Sequence, residues 1–141
     1  MAVNYNATLK TNRMTLVLDL VGTKTVAAST GSFVAGQIVI GTASLSGATG
    51  VIATIPTKAT PGSISGTPAV FTIDCTGGGL SATAGAGGPF TAAKAELRNG
   101  AGTMIVDGLT VGVGTGDVQL NSTSITTGQT VTITAAAITH S

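Results

Sequence analysis

Apolar and polar positions alternate most cleanly toward the C-terminus. In "TVTIT" (130–134), Val131 and Ile133 point one way while Thr130, Thr132 and Thr134 point the other. A two-residue period marks a β-strand with one dry face, and here the opposite face carries hydroxyls where a soluble protein usually carries charges. "PAVFTIDC" (68–75) repeats the pattern, with Phe71, Ile73 and Cys75 inward and Thr72 and Asp74 outward. "AAKAELR" (92–98) places Ala93, Ala95 and Leu97 on one face, and Lys94, Glu96 and Arg98 on the other. Shorter apolar runs at 37–43, 50–57, 103–106, 109–114 and 116–121 predict further strands. The punctuation agrees: "NGAG" (99–102), Asp107-Gly108 and "TTGQ" (126–129) read as tight turns, and Pro56 and Pro61 end one strand and begin a connection.

One segment has a helical period instead. Over "ATLKTNRMTLVLDLV" (7–21), Leu9, Leu16, Val17, Leu20 and Val21 fall on one face with Arg13 on the same stripe, while Lys10, Asn12 and Asp19 lie elsewhere. Asn6 is a good N-cap, and Gly22 suits a left-handed position just past the end. Met14 and Leu18 widen the apolar surface beyond one contact, so the helix either packs wholly on its own domain or docks part of its surface on a neighbouring subunit. A polar stretch follows at 23–36. The glycine-dense stretch at 76–89 reads as a loop, since glycine cannot fill a core and loses much entropy on ordering. No lysine-serine/threonine and helix follow it, so it is not a phosphate-binding loop.

Six to eight short strands with one helix predict a mainly β chain: a β-sandwich or jelly-roll-like domain with a short N-terminal α-helix. The expected organisation is an arm and helix at 1–22 and a single sandwich domain at 23–141, with its glycine-rich loop at 76–89.

Composition sharpens this reading. The chain has 141 residues, enough for one domain with a real core. Charged residues are 8% of it, against about 25% in ordinary soluble domains. Apolar residues reach 43%, which is not the composition of a disordered chain. A net charge of +1 gives no electrostatic reason for nucleic acid or an anionic membrane as partner. No run approaches the ~20 apolar residues of a spanning helix, and aromatic residues at 3% cannot build the girdles of a membrane barrel. The N-terminus lacks the order of a secretion signal. Asn6-Ala7-Thr8 and Asn121-Ser122-Thr123 match the glycosylation pattern by chance on that expectation.

Catalysis needs titratable groups brought together, and few are present. The one histidine, His140, stands near the C-terminus, where fraying is expected. The one cysteine, Cys75, shares the inward parity of Phe71 and Ile73 and reads as a buried thiol; no intrachain disulfide can form. Two such residues do not make a zinc site. Of the acids, Asp107 belongs to its turn, Asp117 follows Gly116 at a strand start, Asp19 lies on the helix, and nothing brings Asp74 and Glu96 together as a glycosidase pair. No catalytic, metal or cofactor-binding residue is expected, and no cofactor. A surface of Thr, Ser, Ala and Gly costs little to desolvate, which suits a protein packed in an ordered assembly.

The stretches "NYNATLKTNRMTLVLDLV" (4–21), "VIGTASLSGATGVIATIP" (39–56), "KAELRNGAGTMIVDGLTVG" (94–112) and "DVQLNSTSITTGQTVTITAAAITH" (117–140) resemble small β-rich virion structural proteins of tailed bacteriophages and prophages. The resemblance implies a non-enzymatic part, a head decoration or cement protein made in the bacterial host cytoplasm and seated on the capsid exterior. Its implied partners are the major capsid protein and copies of itself, in a homo-oligomer such as a trimer, with neither nucleic acid nor membrane. Leu9, Met14 and Leu18 would then be apolar anchors and Arg13 the polar contact. A neck or tail adaptor or tail-surface component is the alternative within that group. A carbohydrate-binding β-sandwich is the alternative outside it, with Tyr5 the one residue offered for stacking on a sugar.

Overall fold

A computed structural model of the chain describes residues 6–22 and 35–140. The arm at 1–5 with Tyr5, most of the polar stretch at 23–36, and Ser141 lie outside the described residues. Helix α1 (Ala7–Val21) starts as its sequence dictates: the Asn6 side chain accepts a 2.8 Å hydrogen bond from the Leu9 N–H, satisfying one of the orphan donors of the first turn. Its other end departs from expectation. Gly22 has φ −76°, so the chain leaves the helix without a left-handed reversal. Gly22 is buried there, and its N–H bonds the Leu18 carbonyl at 3.0 Å.

The strands are β1 (Gln37–Ser46), β2 (Thr49–Pro56), β3 (Gly62–Ser65), β4 (Ala69–Ile73), β5 (Leu80–Thr83), β6 (Phe90–Thr91), β7 (Lys94–Arg98), β8 (Met104–Gly112), β9 (Val118–Leu120), β10 (Ser124–Ile125) and β11 (Thr130–His140). They form a mixed sheet in the order β2-β1-β7-β8-β9-β11-β4-β3, with β5 also paired to β11, and a separate β10-β6 pair. The protein is therefore mainly β, sandwich-like, with one short N-terminal helix. The main sheet curls on itself: the Gly85 N–H, just past β5, bonds the Ile52 carbonyl of β2 at 2.9 Å. Phe71, Ile38, Ile55, Leu97, Leu120 and Ile133 are fully buried inside it. α1 lies against β3, β4 and β8 and adds Met14 and Val21 to the same core.

Two bulges set which residues face inward. In β11, Ile133 faces Leu120 of β9 but Ala135 faces Gln119, so Thr134 is an extra residue. The parity flips there, and the buried positions run Val131, Ile133, then Ala136. In β8, Leu109 opposes Ala95 and Val106 opposes Leu97, three steps against two. Asp107-Gly108, expected as a hairpin turn, is instead a bulge inside one continuous strand. Gly108 at φ +68° supplies the left-handed residue that a bulge and a turn both need.

The glycine-dense stretch also differs from a plain loop. Residues 80–83 pair with 133–130 of β11, and Leu80 and Ala84 are buried. The glycines before it earn their place at one point above all. Gly79 has φ +85°, and a Cβ there would sit 2.7 Å from the Ile133 carbonyl oxygen, inside contact distance. Gly77 shares a similar φ of +84° but has open space around it. Replacing Gly77 with alanine is expected to cost roughly 1 kcal/mol, and Gly79→Ala roughly 3 kcal/mol, because it adds a clash to the backbone strain. Urea unfolding of the two variants checks the difference; equal losses would mean that β5 does not lie this close to β11.

Candidate functional site

Three strand elements build a charge-lined cleft. β7 supplies Lys94, Glu96 and Arg98; the end of β1 and the turn after it supply Leu45, Ser46 and Gly47; and the β8 bulge supplies Asp107 and Gly108, with Met104 at the rim. Together they enclose a cleft of about 390 Å³. Sequence alternation put Lys94, Glu96 and Arg98 on an open face. Lys94 is exposed, but Glu96 is only 7% exposed because the β1–β2 turn overhangs it. Arg98 makes that burial affordable. Its Nε and Nη2 donate to Glu96 Oε2 at 3.0 and 2.7 Å, and Nη2 also donates to the Gly47 carbonyl. A buried carboxylate without such a partner would be costly. The pair thus ties the turn to β7 and forms the cleft floor.

The remaining acids hold the framework. Asp74 Oδ1 accepts from the Thr76 hydroxyl at 2.7 Å, the Thr76 N–H at 2.9 Å and Lys58 Nζ at 2.9 Å. These bonds, led by the Thr76 hydroxyl, lower the Asp74 carboxyl to about 2 from its ordinary 3.8. Lys58 Nζ also reaches the Thr76 hydroxyl. The cluster fastens the segment after β2 to the end of β4. Asp117 Oδ2 accepts from the Thr110 hydroxyl at 2.7 Å and the Thr110 N–H at 2.9 Å, which lowers its carboxyl too. That clamp matters because β8 and β9 are parallel neighbours. Parallel strands ordinarily need a crossover of about a dozen residues, yet 113–117 suffice here. The link doubles back through Gly114 (φ +66°) and Gly116 (φ +85°) before Asp117 locks onto Thr110.

Cys75 is half-buried against the core, and its thiol is pushed up by burial first and by the Asp74 charge second. His140 closes β11 opposite Ala69, part of a ladder rather than a frayed end. Asp74 and Glu96 belong to different clusters, each with its own cation. Asn6 caps the helix, and Asn121 Oδ1 accepts the Thr132 N–H at 3.0 Å. Among the described residues, no three His, Cys, Asp or Glu side chains gather as a metal site, and no helix is long and apolar enough to cross a membrane.

The four helix residues named for partner contact, the anchors Leu9, Met14 and Leu18 and the polar Arg13, are not brought onto one outward face. At about 100° per residue, Met14, Val17, Leu18 and Val21 share the inner face. Met14 is 3% exposed and Leu18 packs against the core. Leu9 is exposed, and Arg13 is half-exposed. Of the residues the sequence puts on one face, Leu9, Leu16 and Leu20 stand in an outward row at 40–41% exposure, while Val17 and Val21 turn to the core. The signal was the 4-3-4 spacing of residues 9, 13, 16 and 20, a second apolar stripe on a helix that already had one.

Fold and site together define a small sandwich-like β domain with one amphipathic helix on its flank and one charge-lined cleft. No family model matches the chain, and neither the curated proteins nor the solved structures include a match.

Two predictions follow from the side-chain placements. Met14→Ala should cost about 2–3 kcal/mol in denaturant unfolding, while Leu16→Ala should cost under about 1 kcal/mol; the reverse order would put the wrong helix face inward. Asp74 has a lowered carboxyl in the folded state, so its contribution to stability is present above about pH 4 and is lost as the pH falls toward 2. Asp74→Asn should therefore lose less stability than the parent between pH 5 and 2, measured by urea unfolding across that range.

Proposed function

We propose that this protein is a non-enzymatic structural component of a bacteriophage virion, a decoration or cement protein that binds the capsid exterior through the major capsid protein and through copies of itself. The observation that carries the proposal is the outer face of β11 and its neighbours. Thr130, Thr134, Ala135, Ala137 and Thr139 are exposed along β11, flanked by exposed Thr72 on β4 and by Ser81 and Thr83 on β5. Hydroxyls and methyls on a hydrogen-bonded sheet give up little hydration and little rotamer entropy when another surface covers them. Each such contact is modest. A repeated capsid lattice engages many at once, and avidity then supplies the strength.

The outward helix row fits the same role. Leu9, Leu16 and Leu20 form a narrow apolar strip, with Arg13 beside it as the polar contact for the capsid protein. The neighbouring charged groups favour a structural role over catalysis, since Asp74, Glu96 and Asp117 are each held in framework bonds. A sugar-binding sandwich would present a ring for stacking. Of the described aromatic residues, Phe71 is fully buried and Phe90 half-buried.

Copy number in purified virions relative to the major capsid protein tests the proposal. A ratio near one to one or one to three is expected. A few copies per hundred would move the protein to the neck or tail, and absence from the particle would overturn both. Leu9→Glu leaves the core untouched and should reduce capsid attachment about tenfold or more in a pelleting assay with undecorated heads. Unchanged attachment would remove the helix from the contact.

A further inference from the structure

The charged cleft of β7 and β8 has opposite charges left over. Arg98 and Glu96 satisfy each other on its floor, and the second ion pair of the described residues joins Lys58 to Asp74 elsewhere. Lys94 and Asp107 enter neither pair, and both are exposed at the rim. On the floor, both Arg98 bonds go to one carboxylate oxygen, Glu96 Oε2, so Oε1 is the oxygen that Arg98 does not use. Glu96 keeps only 9% of its side chain exposed, and it lines the cleft.

An ammonium group entering the cleft would find two acceptors, the Asp107 carboxylate and Glu96 Oε1. Its aliphatic stem would lie along Met104, which is 49% exposed, and Leu45. Lysine has three donors and a flexible four-carbon stem suited to that path. The same cleft already offers such a side chain outward, in Lys94. We infer that two copies of this chain associate about a two-fold axis through this cleft, each inserting its Lys94 beside the other's Asp107 and Glu96.

Charge complementarity is the reason for choosing a second copy as the occupant. The rim carries one unpaired cation and one unpaired anion, and a two-fold axis places each opposite its complement twice. A partner of uniform charge would satisfy one and repel the other. The contact is small against the roughly 800 Å² per partner of a standard stable interface, so the pairing is weak in dilute solution and sensitive to salt. The inference specifies a contact between copies, which the proposed virion role also invokes; its test uses the isolated protein, whereas copy number in particles tests that role, so the two can fail separately.

Sedimentation velocity on the purified chain, from about 10 μM to about 1 mM at low salt, is expected to show a dimer that recedes as salt is raised. Lys94→Glu and Asp107→Lys should each weaken association by about tenfold or more, since each sets like charges together. The double variant should recover it. An equal mixture of the two single variants should also associate, as a heterodimer, because a two-fold contact restores both pairs between an acidic and a basic copy. Circular dichroism of each variant verifies folding. A chain that stays monomeric at about 1 mM, single variants that associate as well as the parent, or a mixture that fails to recover would each overturn the inference.

Discussion

Strand β11 satisfies its backbone on both sides with three different partners, and the rest of the sheet is arranged around that requirement. One side pairs with β9. The other pairs first with β5, at residues 130–133, and then with β4, at residues 137–140. A strand of this length cannot stay straight and flat while carrying two successive neighbours on one edge, because twist accumulates along it. The extra residue at Thr134 falls between the two partners. It re-aims the side chains so that Val131 and Ile133 before the bulge, and Ala136 after it, all reach one core. With Thr134 in regular register, Ala135, Ala137 and Thr139 would face the interior in place of Ala136 and Ile138.

Closure of the core follows from the same arrangement. β5 hangs from β11, inside the sheet path, and brings Gly85 to the carbonyl of Ile52 on β2, at one end of that path. The curled sheet thereby shields the β2 edge that would otherwise be open. Elsewhere, short links do work that longer connections usually do. The Thr110–Asp117 clamp holds a five-residue parallel link, and the Lys58–Asp74–Thr76 cluster anchors the approach to β3. Acids placed this way contribute to chain geometry, each gathering its donors on one carboxylate oxygen.

Local signals were legible in the sequence where local physics decides. The Asn6 cap, the helix bounds and the two-residue period of β4 and β11 depend on neighbours within a few positions, and the structure places them as read. Signals that depend on distant chain were not. β5 hides in a glycine-dense stretch because its partner lies some fifty residues on, and "LSAT" has no strong strand pattern of its own. Asp107-Gly108 reads the same for a hairpin turn and a bulge, since both need a residue at positive φ. Gly22 was a fair left-handed cap by type, yet its burial, with Gly36 pressed close behind Val21, sends the chain another way. Glu96 alternates as an outward residue, and only the overhanging β1–β2 turn makes it a floor.

The helix poses the sharper case, since its sequence carries two apolar stripes and a period alone cannot say which is inner. Packing decides: Met14, Val17, Leu18 and Val21 include the two positions with the least exposure. The other row then has leucines at positions where a surface helix ordinarily gains from polar side chains. Its charges add to the oddity. The first turn has no acid and the last turn no base, while Lys10 and Arg13 lie toward the N-terminus and Asp19 toward the C-terminus. That order opposes the helix dipole. A helix so arranged gains less from its own electrostatics than a solvated helix could. A carboxylate-bearing surface laid against Lys10 and Arg13 would reverse that deficit while covering Leu9, Leu16 and Leu20. The helix is thus better matched to a covered state than to a bare one, as is the threonine-bearing sheet beside it.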